Sequence, residues 1–366
     1  MTSQTNNSAS SIAEETNQDI PQQQVPLTSS IGGLWPPLEA SFKRIKGFYT
    51  PKLITNAEEL ETFVNELYRL KENYLREEKD ITRISLRAII ADSIPIPIKK
   101  SLLEDSLEVA FNLKGTQPAF DNSWLVYIGS NDTTREPNPN EINQYIRNVE
   151  EARDFAKREP QEIFRRLEEK GYKIRTLNLP EKEEEREIVI DQMSGLYSRF
   201  GWNRSDVINI LNNQNNIIGI ASYKDEIISA GIAEIATIPI GEDKQLRMAE
   251  ITEAATLEDH ARNGLYTAVS TMLLRDLSIR SEKGKIMGGE IDMVFGECNG
   301  NATGVLRTAA IQGRTFGTET TSEFGFDKRG FLPQHVPISG ASRTTQYNDL
   351  FPTYLTREKL YKMFNI

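Results

Sequence analysis

One stretch of the chain, AEITEAATLEDHARNGLY at residues 249–266, runs from an apolar strand through a short polar loop directly into a helix. Such a junction places the unpaired N–H groups of the first helical turn, with the positive end of the helix dipole behind them, at the edge of a sheet. Phosphates are common ligands there. Gly264 removes a Cβ where a phosphate would approach, Asn263 tolerates unusual dihedrals, and Arg262 offers a charged contact. The stretch predicts an anion site, with a plain structural turn as the alternative.

Composition narrows the class of protein. The chain has 366 residues, so two domains, or one large domain with an appendage, are expected. Hydrophobic residues make up 38% and charged residues 26%, with a net charge of -10. These values favour a soluble globular protein and argue against partners such as nucleic acid or an anionic membrane surface.

Few residues are available for metal or disulfide chemistry. Cys298 is the single cysteine, which excludes an internal disulfide framework and a cysteine-rich zinc site. His260 and His335 are the two histidines, so we expect no metal site. The N-terminal residues lack a signal-peptide pattern and no apolar run is long enough to span a membrane, which predicts a cytoplasmic location.

The chain divides into three predicted parts. Residues 1–34 are rich in Ser, Thr, Gln and Asn, which predicts a disordered tail. Residues 35–171 are expected to form a mainly helical N-terminal domain, in which Asn56 caps a helix and Trp124–Ile128 forms one strand. The first of these helices carries an apolar stripe of Leu60, Phe63, Val64, Leu67, Leu70 and Tyr74.

The pattern changes at Tyr172 and continues as a third part, residues 172–366, with a C-terminal extension. The predicted order is strand, helix, helix, three strands, helix, strand, helix, strand, the last over residues 315–326. The first two of the three consecutive strands are joined by Lys224-Asp225, which indicates a hairpin. This order predicts an α/β fold, a mixed sheet with helices on both faces.

The element order, with AEITEAATLEDHARNGLYTAV and ECNGNATGVLRTAAIQGRTFG, resembles the GNAT superfamily of acyl-CoA-dependent N-acyltransferases, and within it most closely the β-lysine N-acetyltransferases. The resemblance covers about residues 172–326. It implies a GNAT-like mixed, mostly antiparallel sheet flanked by helices. It also implies that acetyl-CoA or another acyl-CoA binds along the strand, the loop and the helix start. The implied cofactor-binding residues are Ala255, Thr256, Leu257, Arg262, Asn263, Gly264, Leu265, Asn299 and Asn301.

The loop departs from the family pattern, which is Gln or Arg, two residues, Gly, one residue, then Gly or Ala. Those positions hold Ala261, Gly264 and Tyr266 here, so only the central glycine remains. Arg262 or His260 could replace the missing cation, while Tyr266 narrows the space for the phosphates.

Two glutamates are the catalytic candidates. Acyl transfer to an amine needs a general base, and Glu250 lies where many lysine-directed members of the family carry their catalytic glutamate. Glu253 should point to the opposite face by strand alternation, so Glu250 is preferred. The alternative is that both are solvated or paired strand residues. A backbone N–H near Ala255 or Thr256 would polarise the carbonyl, as the resemblance implies.

The expected general acid is missing. The family often places a tyrosine on the helix after the next strand, and Ala309 holds that position here. Cys298, Thr308, Tyr347 or water could protonate the leaving thiolate instead. Cys298 has no His near it in sequence, so a buried structural thiol is the preferred interpretation. Asn299 and Asn301 are expected to cap the following helix.

The acceptor is less defined. Carboxylates near the strand ends would attract a cationic amine, which favours a small molecule such as a diamino acid, with a protein lysine as second choice. Tyr197, Phe200 and Trp202 fall where the family builds its acceptor pocket, and they fit a core equally well. A non-catalytic GNAT-like module for ligand sensing or assembly is the competing hypothesis. A nucleotide-binding oxidoreductase is disfavoured because no GxGxxG is present.

Overall fold

The structure is a computed structural model that describes residues 34–35, 44–49, 52–75, 81–131, 138–156, 160–286, 289–327, 329–337 and 347–366. Residues 1–33 of the predicted disordered tail lie outside these ranges. Within them, no helix is long and apolar enough to cross a membrane, and no group of His, Cys, Asp and Glu is arranged to hold a metal ion.

The N-terminal part is built on a five-stranded sheet of order β1-β2-β3-β5-β4. Its strands are β1 (Leu34–Trp35), β2 (Arg44–Tyr49), β3 (Arg83–Ala91), β4 (Leu107–Asn112) and β5 (Ser123–Asn131). β2 and β3 are parallel and the other neighbours are antiparallel. The helices of this part are α1 (Ala57–Tyr74), α2 (Ile96–Leu103), α3 (Pro139–Arg153) and α4 (Pro160–Glu169).

The C-terminal part is built on an eight-stranded sheet whose main path is β11-β13-β10-β9-β8-β7-β6, with β12 paired to β13. Its strands are β6 (Tyr172–Thr176), β7 (Asn216–Tyr223), β8 (Glu226–Ile240), β9 (Lys244–Thr256), β10 (Met293–Asn299), β11 (Thr315–Phe316), β12 (Leu332–Pro337) and β13 (Tyr347–Thr356). Its helices are α5 (Glu183–Tyr197), α6 (Arg204–Asn212), α7 (Leu265–Glu282), α8 (Thr303–Ile311), α9 (Gly317–Glu323) and α10 (Arg357–Phe364). Only β9 and β10 pair in parallel, so the predicted mixed, mostly antiparallel sheet is confirmed.

The two faces of β9 and β10 pack against different layers. Ala249 and Val294 belong to the core formed with α7. Their neighbours Met248 and Phe295 face the other way and join a core with Phe48 of β2 and other residues of the five-stranded sheet. Because side chains alternate along a strand, α7 covers one face of β9 and β10 and the N-terminal sheet covers the other, while α5 and α6 pack on β7 and β8.

Several sequence predictions agree with these elements. The Asn56 side chain accepts a hydrogen bond from the Glu59 N–H at 3.0 Å at the start of α1, and the predicted stripe of this helix faces the core. The predicted hairpin is present, and Lys224 and Asp225 both have positive φ values, 50° and 65°, as a two-residue turn with a right-handed twist requires. The predicted boundary near residue 171 falls between α4 and β6, and the domain division itself stays a prediction.

Three predictions need correction. The N-terminal part is not simply helical, since only β5 of its sheet was expected. The predicted strand at 315–326 is limited to β11 and then becomes α9, because the hydroxyls of Thr320 and Thr321 bond the backbone O and N of Ala110 at 2.6 and 2.9 Å and dock a helix on the edge of β4. The C-terminal extension, for which no strand was predicted, contains β13 (YNDLFPTYLT), which pairs with β10.

Candidate active site between two parting strands

The parallel strands β9 and β10 separate in the middle of the sheet. Their paired register runs through Met293↔Met248 and Val294↔Ala249 and ends at Phe295↔Glu250. β9 nevertheless continues to Thr256, paired on its other side with β8, and β10 continues with β13. A gap therefore opens in the sheet immediately beyond Glu250.

A β-bulge shapes the β9 side of this gap. Glu253 and Ala254 lie opposite the single residue Gly231 of β8, since the register shifts between Ala230 and Ile232. Glu253 has a φ of 50°, and its carbonyl accepts a hydrogen bond from the Tyr197 hydroxyl at 2.6 Å. Bulges redirect backbone and side chains locally, so strand alternation does not predict the direction of Glu253.

Beyond the gap lies a cleft of about 1160 Å³. Its walls are the end of β9, the loop before α7, the starts of α7 and α8, and α4. The residue at the N-cap of α7 is Gly264, and neither α7 nor α8 has a side-chain cap. Two helix N-termini thus reach one cleft. The first-turn N–H groups of α7 have no partner within the helix, whereas the Thr303 and Val305 N–H groups of α8 donate to the Asn301 and Ala302 carbonyls at 3.0 and 2.8 Å. The arginines on the cleft walls are Arg165, Arg166, Arg262 and Arg307, and His260, Glu162 and Glu169 also line the cleft.

Helix α4 braces the loop that precedes α7. Arg166 Nη2 donates to the Asn263 carbonyl at 3.2 Å, and Lys170 Nζ donates to Asn263 Oδ1 at 3.2 Å. The positive φ values fall on Arg262 and Gly264, 62° and 88°, which corrects the expectation that Asn263 adopts the unusual dihedrals. Asn263 instead ties the loop together, since its amide also donates to the His260 carbonyl at 3.1 Å.

The predicted cofactor-binding residues separate into groups. Thr256, Arg262, Gly264 and Leu265 line the cleft. Ala255 is buried, with its carbonyl accepting from Ser229 Oγ at 2.8 Å, and the Leu257 N–H donates to the Ile228 carbonyl at 2.9 Å.

Asn299 and Asn301 do not cap α8 as expected. Asn299 Oδ1 accepts from the Asn301 N–H at 2.9 Å, which closes the turn between β10 and the helix. The N-cap of α8 is Ala302, which has no capping side chain. The two asparagines therefore shape the approach to the helix start.

A second, smaller cavity of about 280 Å³ lies between the larger sheet and the N-terminal sheet, next to the gap. Glu250 and Glu234 line it, and the two residues are direct cross-strand partners on β9 and β8. Burial raises the pKa of Glu250 to about 7, helped by the negative charges of Glu297 and Glu234 and opposed by Lys46 and Arg87. Its carboxyl can therefore take up and release a proton near neutral pH.

The second catalytic candidate, Glu253, lies in the same electrostatic environment. Burial raises its pKa to about 7, and the charges of Glu234 and Glu250 add to this effect. Three carboxyl groups thus influence one another at this part of β8 and β9, contrary to the expectation that Glu253 is separated from Glu250 by strand alternation.

The N-terminal sheet contributes cations to the smaller cavity. Lys46 of β2 and Arg87 of β3 bond Glu297 Oε1 at 3.2 and 2.8 Å. Burial works against ionisation of Glu297, but Lys46, Arg87 and Arg44 together lower its pKa to about 2. The sequence analysis missed these residues. A lone Glu in the apolar strand IDMVFGEC was the one local signal, and the strand that carries Lys46 was not predicted.

The leaving-group side lacks an obvious acid. Ala309 is buried in a core with Leu306 and Cys298, and burial raises the pKa of the Cys298 thiol, which supports a structural role. Thr308 lines the cleft, where its hydroxyl donates to the Gly304 carbonyl at 3.0 Å. The side chain of Tyr347 lies outside the described residues.

The aromatic residues proposed for an acceptor pocket belong to the core. Tyr197 is 1% exposed and stacks on Trp202 with ring centroids 4.7 Å apart. Phe200 packs against the same cluster under α5 and α6. Tyr197 contacts the site only through its hydroxyl, which donates a hydrogen bond to the Glu253 carbonyl in the β-bulge.

No protein-family model and no curated protein matches the chain. The similar solved structures include several acetyltransferases. The ribosomal-protein-S18-alanine N-acetyltransferase of Escherichia coli is 13% identical, with 50% of this chain and 93% of that chain covered and a TM-score of 0.32. NAA60 of Arabidopsis thaliana, solved with a bisubstrate analogue, is 11% identical, with 50% of this chain and 98% of that chain covered and a TM-score of 0.36. A GNAT-family acetyltransferase of Streptococcus pneumoniae is 8% identical, with 50% of this chain and 99% of that chain covered and a TM-score of 0.34.

Proposed function

We propose that the protein is an N-acyltransferase that moves an acetyl or other acyl group from acyl-CoA to the primary amine of a small molecule. The position of Glu250 is the observation that carries this proposal. It lies at the last paired residue before β9 and β10 part, and it lines the smaller cavity on one side of the gap, while the large cleft lies beyond. As the general base, Glu250 would stand between a cavity that suits a small acceptor and a cleft that suits the cofactor.

The residues of the cleft fit an acyl-CoA. Its volume is about 1160 Å³, and the start of α7 and four arginines face it, which suits the diphosphate. The bound coenzyme would supply a thioester carbonyl that is activated toward amines.

Glu250 would act as the general base. A primary amine must lose a proton as it attacks a thioester, and a carboxyl with a pKa of about 7 can accept that proton directly or through one water. Backbone N–H groups at the end of β9, near Ala255 and Thr256, would stabilise the negative charge that develops on the carbonyl oxygen. Glu253 would tune the local charge, or take the role of base itself.

The smaller cavity supports a small acceptor that carries both charges. Glu234 and Glu250 would attract the amine from one wall. Lys46 and Arg87 also line this cavity and would attract a carboxylate. A diamino acid such as β-lysine fits this pattern, in line with the resemblance in sequence. A protein lysine is the second choice because about 280 Å³ suits a small molecule.

Two measurements test the function. Millimolar CoA should raise the melting temperature of the full-length protein, because a ligand that binds only the folded state stabilises it. Thiol release from acetyl-CoA should then be measured with β-lysine, lysine, spermidine and a lysine peptide. Absence of both the thermal shift and thiol release would reject the proposal.

A non-catalytic role is the second candidate function, and Ala309 favours it. The buried methyl group at that position cannot protonate a thiolate. A sensor or assembly module would show the thermal shift with CoA but no thiol release with any amine, which separates it from the enzyme.

A further inference from the structure

Arg314 lies buried at the gap between β9 and β10. Helix α8 ends at Ile311, and Gly313, with a φ of 63°, turns the chain so that the Arg314 N–H bonds the Ala309 carbonyl at 3.0 Å. The guanidinium packs on Gly296 so closely that a Cβ on that glycine would stand 2.7 Å from Arg314 Nη1 and 3.2 Å from the Ile251 carbonyl. Gly296 is the first residue of β10 beyond the last pair with β9.

The guanidinium and the carboxyl of Glu250 lie on opposite faces of the sheet. Phe295 faces the N-terminal sheet, as Glu250 does through the smaller cavity. The next residue, Gly296, presents its other face to Arg314. A thioester that entered the gap from the large cleft would therefore have the base on one side and Arg314 on the other.

Arg314 has no anion to neutralise it in the described part of the chain. The residue is 6% exposed, and Nε and Nη2 are buried without a hydrogen-bond partner. The titratable groups that face it are Tyr266 of α7 and Cys298 of β10. Burial raises the pKa of Tyr266 to about 12 and also raises that of Cys298, so both are neutral near pH 7.

An unpaired buried cation is unfavourable, and burial accordingly lowers the pKa of Arg314. Such a charge fits a site that receives an anion from a ligand. Tyr266, which interacts with Arg314, lines the large cleft and so connects the guanidinium to that cleft.

We infer that Arg314 binds the thiolate that leaves during acyl transfer and so takes the place of the missing tyrosine. The amine nitrogen forms a bond to the acyl carbon, the carbon–sulfur bond breaks, and the electron pair of that bond goes to sulfur. The proton lost by the amine goes to Glu250. The thiolate pairs with the Arg314 guanidinium, which keeps its own proton, and it is protonated by solvent after release.

This inference rests on the proposed function, and binding of two ligands separates them. The dissociation constants of CoA and of desulfo-CoA, which lacks the thiol, should be measured by calorimetry between about pH 6.5 and pH 9. In the wild type, CoA should bind more tightly than desulfo-CoA by about tenfold at the upper pH, because a cation lowers a thiol pKa by at least about one unit.

Three variants make the test specific. Arg314→Met should remove the advantage of CoA over desulfo-CoA while leaving the affinity for desulfo-CoA within about twofold, and Arg314→Lys should keep part of it. Gly296→Ala, which displaces the guanidinium, should reduce the advantage. Arg307→Met is the matched control, because Arg307 lines the same cleft and should weaken both ligands equally.

Each outcome decides the matter. An unchanged ratio of the two dissociation constants in Arg314→Met, or an equal loss for both ligands, overturns the role in thiolate binding and leaves the acyltransferase proposal intact. Failure of the wild type to bind either ligand rejects the acyltransferase proposal itself. Affinity for desulfo-CoA shows that each variant is folded.

Discussion

Glu250 of β9 and Glu234 of β8 are directly opposite each other in the antiparallel ladder, so both carboxyl groups stand on the same face of the sheet. Two like charges at such a pair repel each other, and the smaller cavity removes part of their hydration. Both effects raise the pKa of Glu250, to about 7. Burial is the larger of the two effects, and the register adds the like charge of Glu234 to it.

The first prediction concerns the pH dependence of catalysis. Because the base must be ionised, kcat/KM for amine acetylation should rise about tenfold per pH unit below pH 7 and level off above it. Glu250→Gln should lower kcat about a hundredfold and remove this limb. Glu258→Gln, at an exposed position in the following loop, is the control and should behave as the wild type. A wild-type profile in Glu250→Gln would exclude it as the base.

A second prediction tests the Glu234–Glu250 pair. The negative charge of Glu234 raises the pKa of Glu250, so Glu234→Gln should move the rising limb of kcat/KM to lower pH. The plateau rate should fall if Glu234 also holds the amine, and KM should then rise. Measurement of full pH profiles for wild type and variant decides this, and an unmoved limb would contradict the coupling.

A third prediction concerns stability and Glu253. Its pKa rises from 4.5 to about 7 on folding. The associated stabilisation is therefore complete below about pH 4.5 and is lost as the pH rises through about 7. Glu253→Gln removes this titration, so its melting temperature relative to wild type should increase between about pH 5 and about pH 8. A difference that stays constant with pH would show that Glu253 titrates normally.

A fourth prediction separates backbone strain from cofactor binding at Gly264. With a φ of 88° and a new Cβ 3.3 Å from Arg166 Nη2, Gly264→Ala should lose about 1–2 kcal/mol of stability and bind CoA more weakly. Gly284 also has a positive φ, 62°, but has no neighbour within 4 Å of a new Cβ. Gly284→Ala should lose similar stability and keep its CoA affinity. Equal CoA affinities in both variants would place the phosphates elsewhere.

The sequence predicts the local part of this architecture well. The order of elements from Tyr172, the hairpin at Lys224-Asp225 and the glycine before α7 depend on short-range patterns of apolar residues and turns, which a single chain displays. Glu250 was proposed because the resemblance implies a catalytic glutamate at that position, and its role stays a prediction.

The part of the site that was not predicted from the sequence depends on long-range contacts. Lys46 and Arg87 reach Glu297 from strands more than two hundred residues away, and Arg314 reaches Gly296 only after α8 reverses the chain. No local periodicity marks such pairs. The strand β13 was missed because Pro352 interrupts its pattern, although the residue sits opposite Glu297 in the sheet.

The last prediction tests the ion cluster that joins the two sheets. The Lys46, Arg87 and Glu297 side chains are 12%, 6% and 7% exposed, so removal of the Glu297 charge leaves two buried cations without the carboxylate that bonds both. Glu297→Gln should lower the free energy of unfolding in urea by about 3 kcal/mol. Burial raises the pKa of Glu297, but the neighbouring cations outweigh this effect and lower it to about 2. The wild-type stabilisation should therefore be present above about pH 4.5 and lost as the pH falls toward 2.

The exposed pair Lys182–Glu185 is the control, and Glu185→Gln should change stability by less than about 0.5 kcal/mol. If Glu297→Gln matched that control, the cluster would not couple the N-terminal sheet to the strands that carry Glu250.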